Sequence, residues 1–157
     1  MSFFYRDPAA PTPNRPTSPG VVALIVRDGA LLLECRSDSG RWGLIGGAVD
    51  PHDSLHDALC REVAEETNLR VTTYALFGTF SDPSRIIQYP DGSVIRILTL
   101  AYTVAVESFA LLRLSHESTA LRFFPPAELA TLDIVATHRH IVDHWLADPQ
   151  PPVPILE

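Results

Sequence analysis

Glu62, Glu65 and Glu66 are the residues of this chain whose type and spacing most directly imply chemistry. At i, i+3 and i+4 a helix would set their carboxylates side by side, and each like-charge neighbour costs such a helix a few tenths of a kcal/mol. Something cationic must compensate. Arg61 reaches Asp57 or Glu65 at i±4, yet one or two guanidinium contacts leave the cluster acidic. A hard divalent ion, Mg²⁺ or Mn²⁺, compensates better, because it takes a few carboxylates together with waters and substrate phosphates. An exposed salt-bridge ladder is the alternative. On a helical wheel Leu55, Ala58 and Leu59 fall within roughly 60° of Glu62, and Glu65 and Glu66 lie on that side. The glutamates therefore continue the apolar stripe, whereas a merely solvated face would oppose it.

The helix that carries them is predicted over Ser54–Thr67, with Asp53 or Ser54 as its cap and Asn68 as a left-handed closing residue. Ahead of it, Gly20–Arg27 and Ala30–Cys35 read as strands joined by an Asp28-Gly29 hairpin turn. The piece Arg41–Gly47 ends in a glycine pair that suits a backbone-lined loop. Further strands are expected at Val71–Phe80, Ser93–Val106 and Leu121–Phe124, with Pro90-Asp91-Gly92 turning between the first two. Ile134–Leu146 reads as a second helix. Sheet and helices together predict an α/β or α+β sandwich.

A chain of 157 residues suits one domain, here residues 20–147 between a proline-rich N-terminal arm, 1–19, and a proline-rich tail, 148–157. Nine of the fourteen prolines fall in these flanks, which read as extended and poorly packed. Phe3-Phe4-Tyr5 ends the arm either as a frayed terminus or as a contact on a second subunit, making a homodimer. All twelve basic residues are arginine, which excludes P-loop, Schiff-base and lysine-base chemistry. A formal charge of −7 argues against binding duplex nucleic acid or an RNA chain, so an acidic protein handling phosphates would need metal ions. Cys35 and Cys60, with no CxxC spacing, read as buried free thiols. No apolar run is long enough to span a bilayer and the start lacks a signal-peptide pattern, so the expected compartment is cytoplasmic.

Gly47, Asp53, then Arg61-Glu62-Val63-Ala64-Glu65-Glu66-Thr67-Asn68-Leu69 resemble the 23-residue box of the Nudix (MutT-like) hydrolase family. That pattern is a glycine, five residues, a glutamate, seven residues, then R-E-U-x-E-E-x-G-U, where U is bulky and apolar. Looser similarity extends from about Gly20 to Leu146, through Glu117–Phe124 and Pro125–Leu129. Three positions depart from the pattern: Asp53 for glutamate, Asn68 for glycine, and Ile45 where proline often precedes the glycine pair. The resemblance implies an α/β/α sandwich around a mixed sheet. It implies metal-dependent hydrolysis of the diphosphate in a nucleoside diphosphate linked to another group, ADP-ribose or a nucleotide sugar first, then nucleoside triphosphates and dinucleoside polyphosphates. Its ligand set maps to Glu62, Glu65 and Glu66, with Gly46 or Gly47 offering a carbonyl and Asp53 acting through water. Arg61 would orient Glu62.

The family uses either a box glutamate or a later loop glutamate as general base, and Glu117 is the loop candidate here, its alternative a solvated turn residue. Trp42, Phe80 and Tyr89 could stack a base or pack the core. Arg85 and Arg96 could reach phosphates or sit at the surface. Pro83 stands near the position where ADP-ribose-cleaving members often carry proline. His138, His140 and His144 include an i, i+4 pair, but no HExxH pattern or third ligand accompanies them in sequence. A nucleotide sensor that binds without cleaving is the competing reading, against which the intact REVAEE core counts.

Overall fold

The computed structural model describes residues 1–157. Its centre is β2 (Ser18–Arg27), in which Val21 to Ile25 are all buried. That burial explains the continuous apolar run: one side of the strand, Val21, Ala23 and Ile25, faces one core, while Val22 and Leu24 face another. Asp28 and Gly29, both at positive φ, turn the chain into β3 (Ala30–Arg36). This is the geometry two-residue hairpins favour.

β4 (Trp42–Gly43) pairs β3, and β5 (Ile45–Ala48) lies antiparallel to β2 from Gly20 to Ala23. The glycine pair expected in a loop is thus in a strand. Gly46 explains the need for glycine there, since at φ +141° a Cβ would lie 2.1 Å from the Val21 carbonyl oxygen. α1 (Leu55–Thr67) follows, with Ser54 and Asp57 forming a capping box and Asn68 closing it at φ 59°.

β6 (Val71–Phe80), β7 (Ile86–Gln88) and β8 (Val94–Val106) come next. Pro90-Asp91-Gly92 joins β7 to β8 rather than β6 to β8, because three-residue β7 intervenes, too short to carry a periodic signal. β8 runs parallel to β2 and antiparallel to both β6 and β7, which makes the sheet mixed. β9 (Ser118–Phe124) pairs β3. A short α2 (Pro126–Leu129), unexpected from the sequence, leads to α3 (Ala136–Ala147). α3 begins two residues later than its apolar pattern suggests, because Val135 donates its N–H to the Trp42 carbonyl and Ile134 bridges the same strand.

α1 covers one face of the sheet through Ala58, Leu59 and Val63, and α3 covers the other through Ile141, Val142 and Trp145. The chain is therefore an α/β/α sandwich, α+β in class, as expected. The flanks are better packed than their proline content suggested. β1 (Ser2–Phe4) pairs β7, Asn14 exchanges hydrogen bonds with Gly92 and Val94, and β10 (Ile155–Leu156) lies parallel to β6. Phe3 and Tyr5 accordingly find their partners within the same chain, at His138 and His140. Cys35 and Cys60 are free but half-buried rather than buried. No helix is long and apolar enough to cross a membrane.

Candidate active site

Two short pieces of backbone, β5 and the last two turns of α1, bring the acidic residues together. Glu66 is 5% exposed, and one of its carboxylate oxygens accepts the Gly46 N–H at 2.8 Å. Glu62 lies against Gly47 so closely that a Cβ there would sit 2.7 Å from the carboxylate. Glycine at 47 thus leaves a cradle that any side chain would fill. Glu65 points outward, its side chain 63% exposed, and Leu55 is also exposed, so the inward stripe is narrower than the wheel suggested. Ala58, Leu59, Val63 and Glu66 form it.

Arg61 gathers most of the remaining charge. Its guanidinium donates to Glu62 at 2.7 Å, to Asp53 at 2.9 and 3.0 Å, to Glu65 at 3.4 Å and to the Ala48 carbonyl at 3.2 Å. These contacts hold its pKa above the usual arginine range despite partial burial, the hydrogen bonds to Glu62 and Asp53 contributing most. Asp53 is committed to this arginine, and the cap role belongs to Ser54.

Glu66 lies outside the reach of Arg61. Burial first, then the charge of Glu34, holds its carboxyl well above the usual range, and burial raises Glu62 as well. Such groups ionise readily only beside added positive charge. Two inward carboxylates, a carbonyl-lined strand and the space left by Gly47 fit a divalent cation, with Glu62 and Glu66 as the residues best placed to hold it.

These carboxylates open into a cavity of about 220 Å³ whose walls include Arg36, Tyr89, Thr99, Glu117 and His138. Glu117 is exposed, and its carbonyl is anchored by the N–H and hydroxyl of Ser37 at 3.0 and 2.6 Å. A larger cavity, about 750 Å³, lies elsewhere and is walled by residues such as Leu24, Leu76 and Trp145, with no carboxylate, histidine or arginine. Size alone does not mark the site; the titratable groups do.

Sequence reasoning missed Glu34, Arg36 and His138 in this role. Glu34, 1% exposed, pairs with Arg36 at 3.2 Å and with the Ser118 hydroxyl, and burial raises its pKa. Arg36 also binds Asp38 at 2.8 Å and lies beneath the Phe3 ring. His138 accepts the Leu44 N–H at 3.0 Å through Nδ1. Burial, with Arg36 and Arg85 nearby, pushes its pKa down to about 3, so it is neutral. A charged Glu34 directly after the apolar run Leu31–Leu33, within the same expected strand, was the available signal.

Of the residues expected to meet the substrate, Tyr89 alone lines the cavity. Phe80 and Arg85 are both 0% exposed. Phe80 is core, and the Arg85 guanidinium donates through one nitrogen to Thr99 and, at 2.6 Å, to the Thr137 carbonyl while its Nε and Nη1 stay buried without partners; with no exposed surface, neither residue offers a face to a base or phosphate. Trp42 packs edge-on against Phe124 at 4.6 Å, and Arg96 donates to the Ser81 carbonyl at 2.6 Å. An apolar or basic residue type does not by itself say which side of a strand it occupies; tertiary packing decided these four.

The NUDIX domain model matches residues 15–145. A MutT-like protein of Streptomyces ambofaciens is 33% identical over 124 residues, 75% of this chain and 73% of that protein. Nucleoside triphosphatase NudI of Escherichia fergusonii is 33% identical over 128 residues, 76% of this chain and 90% of that one. Among solved structures, the Escherichia coli ORF135 protein superposes with a TM-score of 0.68 at 25% identity, covering 87% of this chain and 95% of its own.

Proposed function

The chain belongs to the Nudix family, and on that premise we propose that it is a divalent-metal-dependent hydrolase of phosphoric anhydrides in nucleotides, with nucleoside triphosphates as the leading substrate class. The observation that carries the reading is the pair of inward carboxylates, Glu62 and Glu66, held against the glycines of β5, where Glu66 has no arginine in hydrogen-bond contact and, of the arginines, feels only the charge of Arg36 across the cavity. A non-catalytic nucleotide sensor has no use for two half-desolvated carboxylates that repel each other. The substrate class rests on the nucleoside triphosphatase relatives and on a cavity whose wall carries a half-buried tyrosine, Tyr89, alongside Phe3, to stack a single base. ADP-ribose remains the second substrate to test, because Pro83 lies exposed in the loop that follows β6.

Glu62 and Glu66 hold the cation, Mg²⁺ or Mn²⁺, with the Gly46 or Gly47 carbonyl as a further donor and Asp53 and Glu65 at the periphery. When bound, the ion neutralises phosphate charge and lowers the pKa of the attacking water. Arg61 fixes the rotamer of Glu62 and prevents it from turning to solvent. Glu117 takes the proton of the water as its oxygen bonds to phosphorus, and the bridging P–O bond breaks with the oxygen leaving on the departing group. Arg36, already facing Glu34 and Asp38, offers the cavity its guanidinium for a phosphate oxygen.

The test is a panel of nucleoside triphosphates, ADP-ribose, nucleotide sugars and dinucleoside polyphosphates with Mg²⁺ or Mn²⁺, products resolved by chromatography. Hydrolysis of at least one class that disappears in Glu66→Gln is the expected result. Tight nucleotide binding without turnover of any compound would instead establish the sensor.

A further inference from the structure

His140 and His144, one helical turn apart on α3, meet a third potential ligand, Glu157, which lies beyond the helix and just after β10. β10 runs parallel to β6, the Glu157 N–H donates to the Thr79 carbonyl at 3.0 Å, and Ser81 donates back to the Glu157 carbonyl at 2.9 Å. The residue is thus pinned by its backbone with its side chain turned to the helix. One carboxylate oxygen, Oε2, approaches His140 Nε2 to 2.7 Å, and one ligand atom from each of His140, His144 and Glu157 lies within 4.8 Å of the others.

We propose that His140, His144 and Glu157 form a second metal site, selective for a borderline ion such as Zn²⁺, which ties α3 to both ends of the chain. Four features carry this. The donors are two imidazoles and one carboxylate, a set that zinc uses with a fourth position left to water, and that Mg²⁺, which prefers oxygen alone, does not. Bonds of about 2.0–2.1 Å in a tetrahedral arrangement place ligand atoms roughly 3.4 Å apart, so the group closes by rotamer adjustment without backbone movement. The Glu157 oxygen facing His140 is buried and lacks a well-formed hydrogen bond, while its other oxygen accepts the Tyr5 hydroxyl at 2.8 Å, an outer contact that orients the carboxylate. Finally, Tyr5 stacks on His140 at 4.9 Å and Phe80 stands 5.7 Å from His144, so aromatic rings support both imidazoles while the half-buried group keeps a side open to the water of the fourth position. The site is independent of the carboxylates on α1.

The experiment uses untagged, chelator-stripped protein. Zn²⁺ should raise the melting temperature of wild type and of Glu66→Gln alike, and Co²⁺ should give the visible absorption bands of a tetrahedral centre that Zn²⁺ then bleaches. His144→Gln, which leaves the His140–Glu157 contact in place, should lose both signals. Tyr5→Phe keeps the ring stack and removes the orienting hydrogen bond, so it should weaken Zn²⁺ binding about 10–100-fold. If wild type gives no such Co²⁺ spectrum, or if His144→Gln and Tyr5→Phe bind as wild type does, the three residues are an ordinary ion-pair cluster and the proposal is wrong.

Discussion

Glu117 and Glu66 supply the same functional group to one cavity from opposite environments. Glu66 is buried and bonded to Gly46, whereas Glu117 is exposed beside His116. Their substitutions should therefore differ in kind. Glu117→Gln should lower the turnover number by roughly 10²–10⁴ with metal affinity unchanged. Glu66→Gln, whose amide oxygen can still accept the Gly46 N–H, should shift the Mn²⁺ titration itself while urea unfolding without metal shows no loss of stability. Full activity in Glu117→Gln would return the base to Glu62. His138 makes a separate, pH-dependent prediction. Its folded pKa of about 3 lies below the ordinary value of 6.5, so the unfolded chain binds the extra proton between them. The stability that neutral His138 contributes is complete above pH 6.5 and is lost as pH falls toward 3, by up to roughly 1.4 kcal/mol per pH unit. The stability difference between wild type and His138→Gln should accordingly shrink with acid, and a constant difference from pH 7 to pH 5 would contradict the burial argument.

α1 shows how far an element can be read before it folds. Its start is set by Ser54 and Asp57, which satisfy each other's backbone N–H groups, and its end by Asn68 in the left-handed region. Ser54→Ala should cost about 1 kcal/mol in urea unfolding and leave catalysis intact, since the cap lies at the opposite end from Glu62 and Glu66. β5 behaves otherwise. Gly47→Ala would drive a methyl into the Glu62 carboxylate, so Glu62 must swing away. Metal affinity should fall by more than stability does, which parallel Mn²⁺ titration and thermal melts would resolve. β5 was read as a loop because two glycines conceal a strand's periodicity; only the close approach of the Val21 carbonyl and Glu62 reveals why they are there.

For the molecule as a whole, the carboxylate cluster couples folding to the cation. A ligand that binds only the native state at about 100 times its Kd adds about 2.7 kcal/mol, which for a chain of this size raises the melting temperature by roughly 5–10 °C. Mn²⁺ should produce such a shift in wild type and much less in Glu66→Gln. An equal shift in both would mean that the ion acts elsewhere.

The sequence by itself determined the acidic helix, its caps, the Asp28-Gly29 hairpin and the family, because each rests on contacts between residues close along the chain. Capping, i, i+4 pairing and two-residue turns are short-range physics. Tertiary structure decided the rest. It sank Phe80 and Arg85 into the core, left Tyr89 on the cavity wall, set Glu34 beside Arg36 and the Ser118 hydroxyl, and carried Glu157 to His140. Each of these depends on which face of a strand or helix is buried, or on pairing between segments distant along the chain, as Glu34 meets Ser118 across 84 residues. Side-chain type along a single chain carries no record of that pairing; it exists once the strands have found their neighbours.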